Sequence, residues 1–91
     1  MELELDQISG VAESAVFGVP HPDLGEGVTA AIVLDGSGEV SERQVIELLQ
    51  PRLARFKQPK RVIILDALPR NAMGKVQKNL LREQYAGLYA S

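Results

Sequence analysis

The chain has 91 residues, of which 45% are hydrophobic, and a formal net charge of −2. This length predicts one domain, with a core of aliphatic residues because there are only two Phe, two Tyr and no Trp. The absence of cysteine excludes disulfides and thiolate metal sites, and a single histidine, His21, argues against a histidine-based metal cluster. No apolar run approaches the roughly 18 residues of a membrane span, and the N-terminus is acidic, so we expect a soluble cytoplasmic domain with no membrane partner.

The two halves of the chain carry opposite charge. Residues 1–47 contain ten acidic side chains against the single base Arg43, whereas residues 48–91 contain nine bases against Asp66 and Glu83. A basic C-terminal half predicts an anionic partner such as phosphate groups. Charge alone does not distinguish the phosphates of a nucleotide, a cofactor or a nucleic acid.

The first half of the chain predicts one short helix and two strands. Residues 3–8 form an amphipathic helix pattern, and residues 11–19 form a strand pattern. Residues 21–27 are rich in Pro and Gly and predict a loop, in which we expect His21 to be solvated. Residues 28–34 (Val-Thr-Ala-Ala-Ile-Val-Leu) are continuous and β-branched, so they predict the central strand.

The second half predicts the longest helix, a third strand and a last helix. Ser41 offers an N-cap, and the predicted buried stripe consists of Val45, Leu48, Leu49 and Leu53. Pro51 predicts a kink or a new first turn, since proline costs about 3 kcal/mol inside a straight helix; the helix should end before residue 56. A strand at residues 61–65 and a helix from residue 76 to 85 or 88 follow. This order predicts an α+β fold, a small three-stranded and largely antiparallel sheet with helices packed on it.

Residues 68–82 begin as a loop and end as a helix, with Lys75 at the joint. Pro69, Asn71 and Gly74 favour turn conformations, and Gly74 lets the backbone beside Lys75 approach a partner closely. A lysine carried in this way can be delivered to an anion and withdrawn again. On spacing alone, however, an exposed Gly-Lys turn is more often only a solvated turn.

Three motifs in order resemble those of the adenylate-forming acyl-CoA synthetases, and the resemblance covers essentially the whole chain. The first is Val-Phe-Gly-Val-Pro-His-Pro-Asp-Leu-Gly-Glu at residues 16–26, and the second is Leu-Ala-Arg-Phe-Lys-Gln-Pro at residues 53–59. The third combines Leu-Pro-Arg at residues 68–70 with Gly-Lys-Val-Gln-Lys at residues 74–78. Within the family, residues 71–79 are most similar to malonyl-CoA synthetases, although acyl selectivity there is set mainly by the large N-terminal domain.

The resemblance implies that residues 1–91 are a C-terminal lid domain. Met1 and Glu2 resemble the end of the Glu-hydrophobic-Glu run that follows the family's hinge and hairpin. We therefore expect the hinge and the large adenylating domain, with its nucleotide and acyl pockets, to be missing from this chain. Alone it should catalyse nothing and bind no cofactor.

The resemblance also implies the chemistry of the intact enzyme. A carboxylic acid, malonate by the finer resemblance, attacks the α-phosphate of ATP, and CoA thiol then displaces AMP from the acyl-adenylate; ATP, Mg²⁺ and CoA would take part. Lys75 would be the catalytic residue of adenylation and, with Gly74, would contact nucleotide and substrate. The domain would then rotate for thioester formation. Acetylation of Lys75, reversed by a deacylase, would be an off-switch.

Other basic residues and other functions receive weaker support. Lys78 and Arg82 are expected to be solvated helix charges. The candidates for contacts with CoA phosphates or with the large domain, which the sequence does not rank, are Arg52, Arg55, Lys57 and Lys60. The alternatives are a purely structural domain and a stand-alone phosphate- or nucleic-acid-binding module that uses the basic half. The scattered positions of Phe56, Tyr85 and Tyr89 provide no aromatic row for base stacking.

Overall fold

The computed structural model describes residues 2–23, 25–37, 40–53 and 57–89. In chain order the elements are α1 (Glu2–Asp6), β1 (Val11–His21), β2 (Gly25–Leu34), α2 (Glu42–Leu49), β3 (Arg61–Leu65) and α3 (Lys78–Gln84). The predicted α+β class is confirmed. No helix in these described ranges is long and apolar enough to cross a membrane.

The three strands form one mixed sheet in the order β1-β2-β3. β1 and β2 are antiparallel, whereas β2 and β3 are parallel, so Ala31 of β2 lies between Ala15 of β1 and Ile63 of β3. Parallel neighbours need a crossover connection, and the segment that contains α2 supplies it. The predicted central position of β2 is confirmed.

Both faces of the sheet are covered, which explains the continuous apolar sequence of β2. Ala30 and Ile32 face the cluster that includes Val45 and Leu49 of α2. The intervening Ala31 and Val33 face a second cluster, which contains Leu81 of α3. A strand buried on both faces carries apolar residues without alternation. The helices α2 and α3 therefore lie on opposite faces of the sheet.

The predicted loop at residues 21–27 is too long. β1 continues through Pro20 to His21, which pairs with Gly25 at the start of β2. Proline is tolerated in β1 because an edge strand does not need every backbone donor. Gly25 has φ of +78°, which lets the chain reverse tightly and resume pairing at once.

The predicted course of α2 beyond residue 49 is also wrong. The predicted cap is confirmed, because the Ser41 hydroxyl accepts from the Gln44 amide in a complete capping box. The helix then ends at Leu49, with Gln50 as its C-cap, rather than kinking or restarting at Pro51. The Leu49 carbonyl accepts from the backbone amides of Arg52 and Leu53, and the side-chain amide of Gln58 donates to it as well, over 3.0 Å. Val45 and Leu49 are buried and Leu53 packs beside them as predicted, whereas Leu48 is 47% exposed.

The observed bounds of the two shorter helices differ from those that their patterns predict. α1 is Glu2–Asp6 rather than residues 3–8, although Leu5 and Ile8 are both buried as expected. α3 starts at Lys78 rather than at residue 76, because Val76 forms a β-bridge with Arg70. The chain at Val76 is thus still part of the Lys75 turn.

Candidate functional site

Lys75 lies on a hairpin-like turn whose two arms are hydrogen-bonded to each other. The Gln77 amide donates to the Pro69 carbonyl over 2.8 Å, and the Asn71 amide donates to the Lys75 carbonyl over 3.0 Å. Between these bonds Arg70 and Val76 form the β-bridge. The turn is therefore a closed structure and not an open loop.

The side chain of Asn71 organises the tip of this turn. Its Oδ1 accepts from the Met73 amide over 2.9 Å and from the Lys75 amide over 3.0 Å, as in an Asx turn. Its backbone carbonyl accepts from the Gly74 amide over 2.9 Å. Gly74 has φ of +80°, a left-handed conformation that glycine adopts without steric cost, and nothing lies within 4 Å of where a Cβ would be.

A second brace comes from the guanidinium of Arg70. One of its nitrogens, Nη1, donates to the Gly74 carbonyl over 2.6 Å, and the other, Nη2, forms an ion pair with the Glu13 carboxylate of β1. The turn is thereby attached to the sheet at a point far from it in sequence. Charge-assisted bonds of this kind are stronger than bonds between neutral groups.

The base of the turn is anchored in the core on both sides. Leu68 enters it from β3 with 6% exposure, and Leu81 of α3 is fully buried. Both belong to the cluster that contains Phe17 and Val19 of β1. The segments on either side of the Lys75 turn are therefore packed into the same hydrophobic cluster.

Lys75 itself is exposed, as the sequence predicts, and Met73 beside it is 92% exposed. Within the part of the chain that the structure describes, no carboxylate lies within the 4.0 Å of an ion pair from the Lys75 ammonium. The Lys75 side chain is thus open to solvent. Gly74 and Lys75, the two predicted site residues, stand in the same turn.

The remaining basic residues are distributed over other surfaces. Arg82 is exposed on α3, and Lys78 at the start of α3 is half-buried and has an interaction partner. Arg52, Lys57 and Lys60 are exposed in the segment between α2 and β3, and Arg55 lies outside the described residues.

His21 is not the solvated loop residue that the sequence predicts. It is half-buried at the end of β1, where its ring lies 5.0 Å from the ring of Tyr89, and its Nδ1 accepts from the Asp23 amide over 3.1 Å. The described residues contain no group of three His, Asp or Glu side chains arranged to hold a metal ion. His21 therefore has a packing role in this fold.

Sequence reasoning missed two contributors to the turn. Asn71 was recognised only as turn-tolerant, although its position two residues before Met73 and four before Lys75 is compatible with an Asx turn. Glu13 carries no signal at all, because 57 residues separate it from Arg70. Only the three-dimensional fold brings that pair together.

Comparison with known proteins identifies the domain. A family model described as the AMP-binding enzyme C-terminal domain matches residues 1–75. A long-chain-fatty-acid–CoA ligase, FadD13 of Mycobacterium tuberculosis, is 51% identical over 79 residues, which are 87% of this chain and 16% of the relative. The oxalate–CoA ligase of Saccharomyces cerevisiae is 36% identical over 88 residues, 92% of this chain and 16% of the relative.

Several solved structures resemble this chain in both fold and sequence. Apo MatB from Rhodopseudomonas palustris superposes with a TM-score of 0.94 at 58% identity and covers 97% of this chain and 18% of MatB. A fatty acyl CoA synthetase of Mycobacterium tuberculosis superposes with a TM-score of 0.87 at 46% identity, over 96% of this chain and 17% of that one. The chain thus spans about one sixth of the length of these proteins. On this evidence the chain belongs to the AMP-binding enzyme C-terminal domain family.

Proposed function

We propose that this chain is the C-terminal lid domain of an ATP-dependent acyl-CoA synthetase, and that Lys75 is its catalytic residue for adenylation. The observation that supports this role most is the exposure of Lys75 on a turn braced by Asn71 and Arg70. Relatives and structural neighbours with ligase and synthetase names support the reaction class, and one structural neighbour is an ATP-bound MatB. The large domain would supply the nucleotide and acyl pockets.

In the first half-reaction a carboxylate oxygen of the acid attacks the α-phosphorus of ATP, and pyrophosphate leaves. This step gathers several negative groups around one phosphorus. A cation that touches both the carboxylate and the transferring phosphate offsets their repulsion and stabilises the charge that develops. An ammonium on a flexible stem, such as that of Lys75, is a compact point charge suited to this position.

In the second half-reaction the CoA thiol attacks the acyl carbon, and AMP leaves. We propose that the domain rotates between the two steps, which withdraws Lys75 and presents another face of the domain to CoA. Lid motions of this kind let one site serve two reactions. The described residues contain no cluster of metal ligands, so we propose that Mg²⁺ is held with the nucleotide on the large domain.

Malonate is the acid that we propose, on the similarity of residues 71–79 to malonyl-CoA synthetases. The named relatives act on acids as different as long-chain fatty acids and oxalate. A panel of short dicarboxylic and long-chain acids, assayed with the full-length enzyme, tests this choice. A preference for long-chain acids would contradict it.

The test of Lys75 separates the two half-reactions in the full-length enzyme. Lys75→Ala should lower adenylation, measured by pyrophosphate exchange, by about two to three orders of magnitude, or about 3–4 kcal/mol in the barrier. Thioester formation from a supplied acyl-adenylate should be largely retained, because the lysine has been withdrawn by then. Arg82→Ala, which removes an exposed positive charge from α3, is the matched control and should leave adenylation nearly unchanged. Equal loss of both half-reactions in Lys75→Ala would show that the lysine acts throughout or only structurally.

A further inference from the structure

Glu13 lies at an irregularity of β1 that directs it toward the Lys75 turn. The pairing of β1 with β2 shifts register between Val11 and Glu13, so that one extra residue is accommodated in β1. Such bulges reorient side chains and are frequent beside active sites. The carboxylate of Glu13 meets the Arg70 guanidinium there.

Arg70 connects this carboxylate to the peptide group that precedes Lys75. While Nη2 is held by Glu13, Nη1 donates to the Gly74 carbonyl over 2.6 Å. The N–H of the same peptide group belongs to Lys75 and donates to Asn71 Oδ1 over 3.0 Å. Both polar atoms of the Gly74–Lys75 peptide group are therefore bonded, and its plane cannot rotate without the loss of one bond.

From this geometry we propose that Glu13 is a positioning residue for Lys75 and acts through Arg70. The proposal rests on the proposed function of Lys75. The pair itself is half-exposed, with 40% of the Arg70 side chain and 36% of the Glu13 side chain accessible, so it contributes little to global stability. Its effect is orientational: the carboxylate holds the flat guanidinium in the plane from which Nη1 reaches the Gly74 carbonyl. Without it, the guanidinium is free to turn toward water and release the turn.

The first experiment measures the turn in the chain itself and does not depend on enzymatic activity. Amide relaxation and hydrogen exchange of Gly74 and Lys75 should increase in Glu13→Ala, whereas the amide of Ala31 in the buried central strand should not change. Glu47→Ala is the matched control, because Glu47 forms an exposed ion pair with Arg43 over 3.2 Å on α2. Unchanged dynamics of Gly74 and Lys75 in Glu13→Ala would overturn the proposal.

The second experiment measures adenylation in the full-length enzyme. Glu13→Ala should lower its kcat by about tenfold with KM for ATP unchanged; the loss is smaller than the roughly hundredfold cost of a 1 Å misplacement, because Asn71 still holds the turn. Thioester formation from a supplied acyl-adenylate should be retained. Glu13→Gln keeps an acceptor oxygen for Nη2 and should recover most of the lost activity.

A charge reversal separates positioning from simple ion pairing. The double variant Glu13→Arg with Arg70→Glu restores opposite charges, but a glutamate at residue 70 has no donor for the Gly74 carbonyl. The melting temperature should therefore stay close to its original value, because the pair contributes little to stability, while adenylation stays low. Normal adenylation in this double variant would overturn the proposal and leave an ordinary surface ion pair. Lys75→Ala is assayed in parallel: normal adenylation there refutes the proposed function, whereas impairment there with normal Glu13→Ala refutes only the positioning role.

Discussion

Gly74→Ala tests whether the Lys75 turn is held in a left-handed conformation. At φ of +80° no atom beyond the adjacent residues lies within 4 Å of the position a Cβ would take, so the cost of the substitution is the local conformational strain of the backbone. A non-glycine residue in this region costs about 1–2 kcal/mol. The added Cβ also lowers the entropy of the unfolded chain, but that gain of about 0.4–1 kcal/mol is smaller than the strain. The net expectation is a loss of about 1 kcal/mol, or about 4–8 °C in melting temperature for a domain of this size.

Gly36 provides the matched control for this substitution. It has φ of +85°, and nothing lies within 4 Å of its Cβ position either, but it follows β2 and is not part of the Lys75 turn. Urea unfolding of the chain should therefore give nearly equal losses for Gly74→Ala and Gly36→Ala. In the full-length enzyme only Gly74→Ala should impair adenylation, because relief of its strain breaks the bond from the Gly74 amide to the Asn71 carbonyl. Gly74→Asn should be milder, since asparagine tolerates the left-handed region.

Either of two results would contradict the proposed link between the left-handed turn and adenylation. If Gly74→Ala left the free energy of unfolding unchanged while Gly36→Ala lowered it, the turn would not occupy the left-handed conformation in solution. If both variants impaired adenylation equally, the loss would follow from stability and not from the position of Lys75.

Two further predictions concern the charge of Lys75 and the isolated domain. Acetylation of Lys75 by an acetyltransferase should stop adenylation in the full-length enzyme. The melting temperature should change by no more than about 1–2 °C, because the modification removes a charge from an exposed side chain. Mass spectrometry locates the modified residue, and treatment with a deacylase should restore activity. Modification mainly at Lys57, Lys60 or Lys78 with activity retained would contradict this. The isolated chain should bind ATP and CoA no more tightly than about millimolar in calorimetric titration, because pockets that enclose most of a ligand are needed for tighter binding; micromolar affinity for either ligand would contradict it.

The strands were predictable because their patterns are local. Residues 28–34 and 61–65 are mostly apolar and rich in β-branched side chains; the predicted bounds of β3 agree with the observed ones, and those of β2 agree at its end. The start of β2 was missed because Gly25 and Glu26 resemble loop residues, and only pairing with β1 makes them a strand. Likewise, Pro20 is tolerated within β1 only because β1 is an edge strand, and that position depends on the arrangement of the whole sheet.

The position of Lys75 was predictable from the sequence, but the contacts that brace its turn were not. The Gly-Lys pair and its neighbouring turn residues locate the exposed lysine, and the resemblance supplied a role for it. The Glu13–Arg70 pair joins residues far apart in sequence, and the bulge that directs Glu13 is invisible in the hydrophobic pattern. Exposure of Leu48 was missed for a related reason, since the width of the apolar stripe on α2 is decided by what the sheet covers.

Chemical rescue of Lys75 tests the central claim most directly. The chain contains no cysteine, so Lys75→Cys introduces a unique thiol into this domain. Aminoethylation of that thiol in the full-length enzyme rebuilds an ammonium at nearly the original length, whereas carbamidomethylation gives a neutral group of similar size. Unsubstituted enzyme treated with each reagent controls for cysteines of the large domain.

We predict that Lys75→Cys is inactive in adenylation, that aminoethylation restores most of the lost rate, and that carbamidomethylation does not. Rescue by both reagents, or by neither when the aminoethylated protein is folded and fully modified, would contradict the claim that the positive charge of Lys75 promotes attack on the α-phosphate.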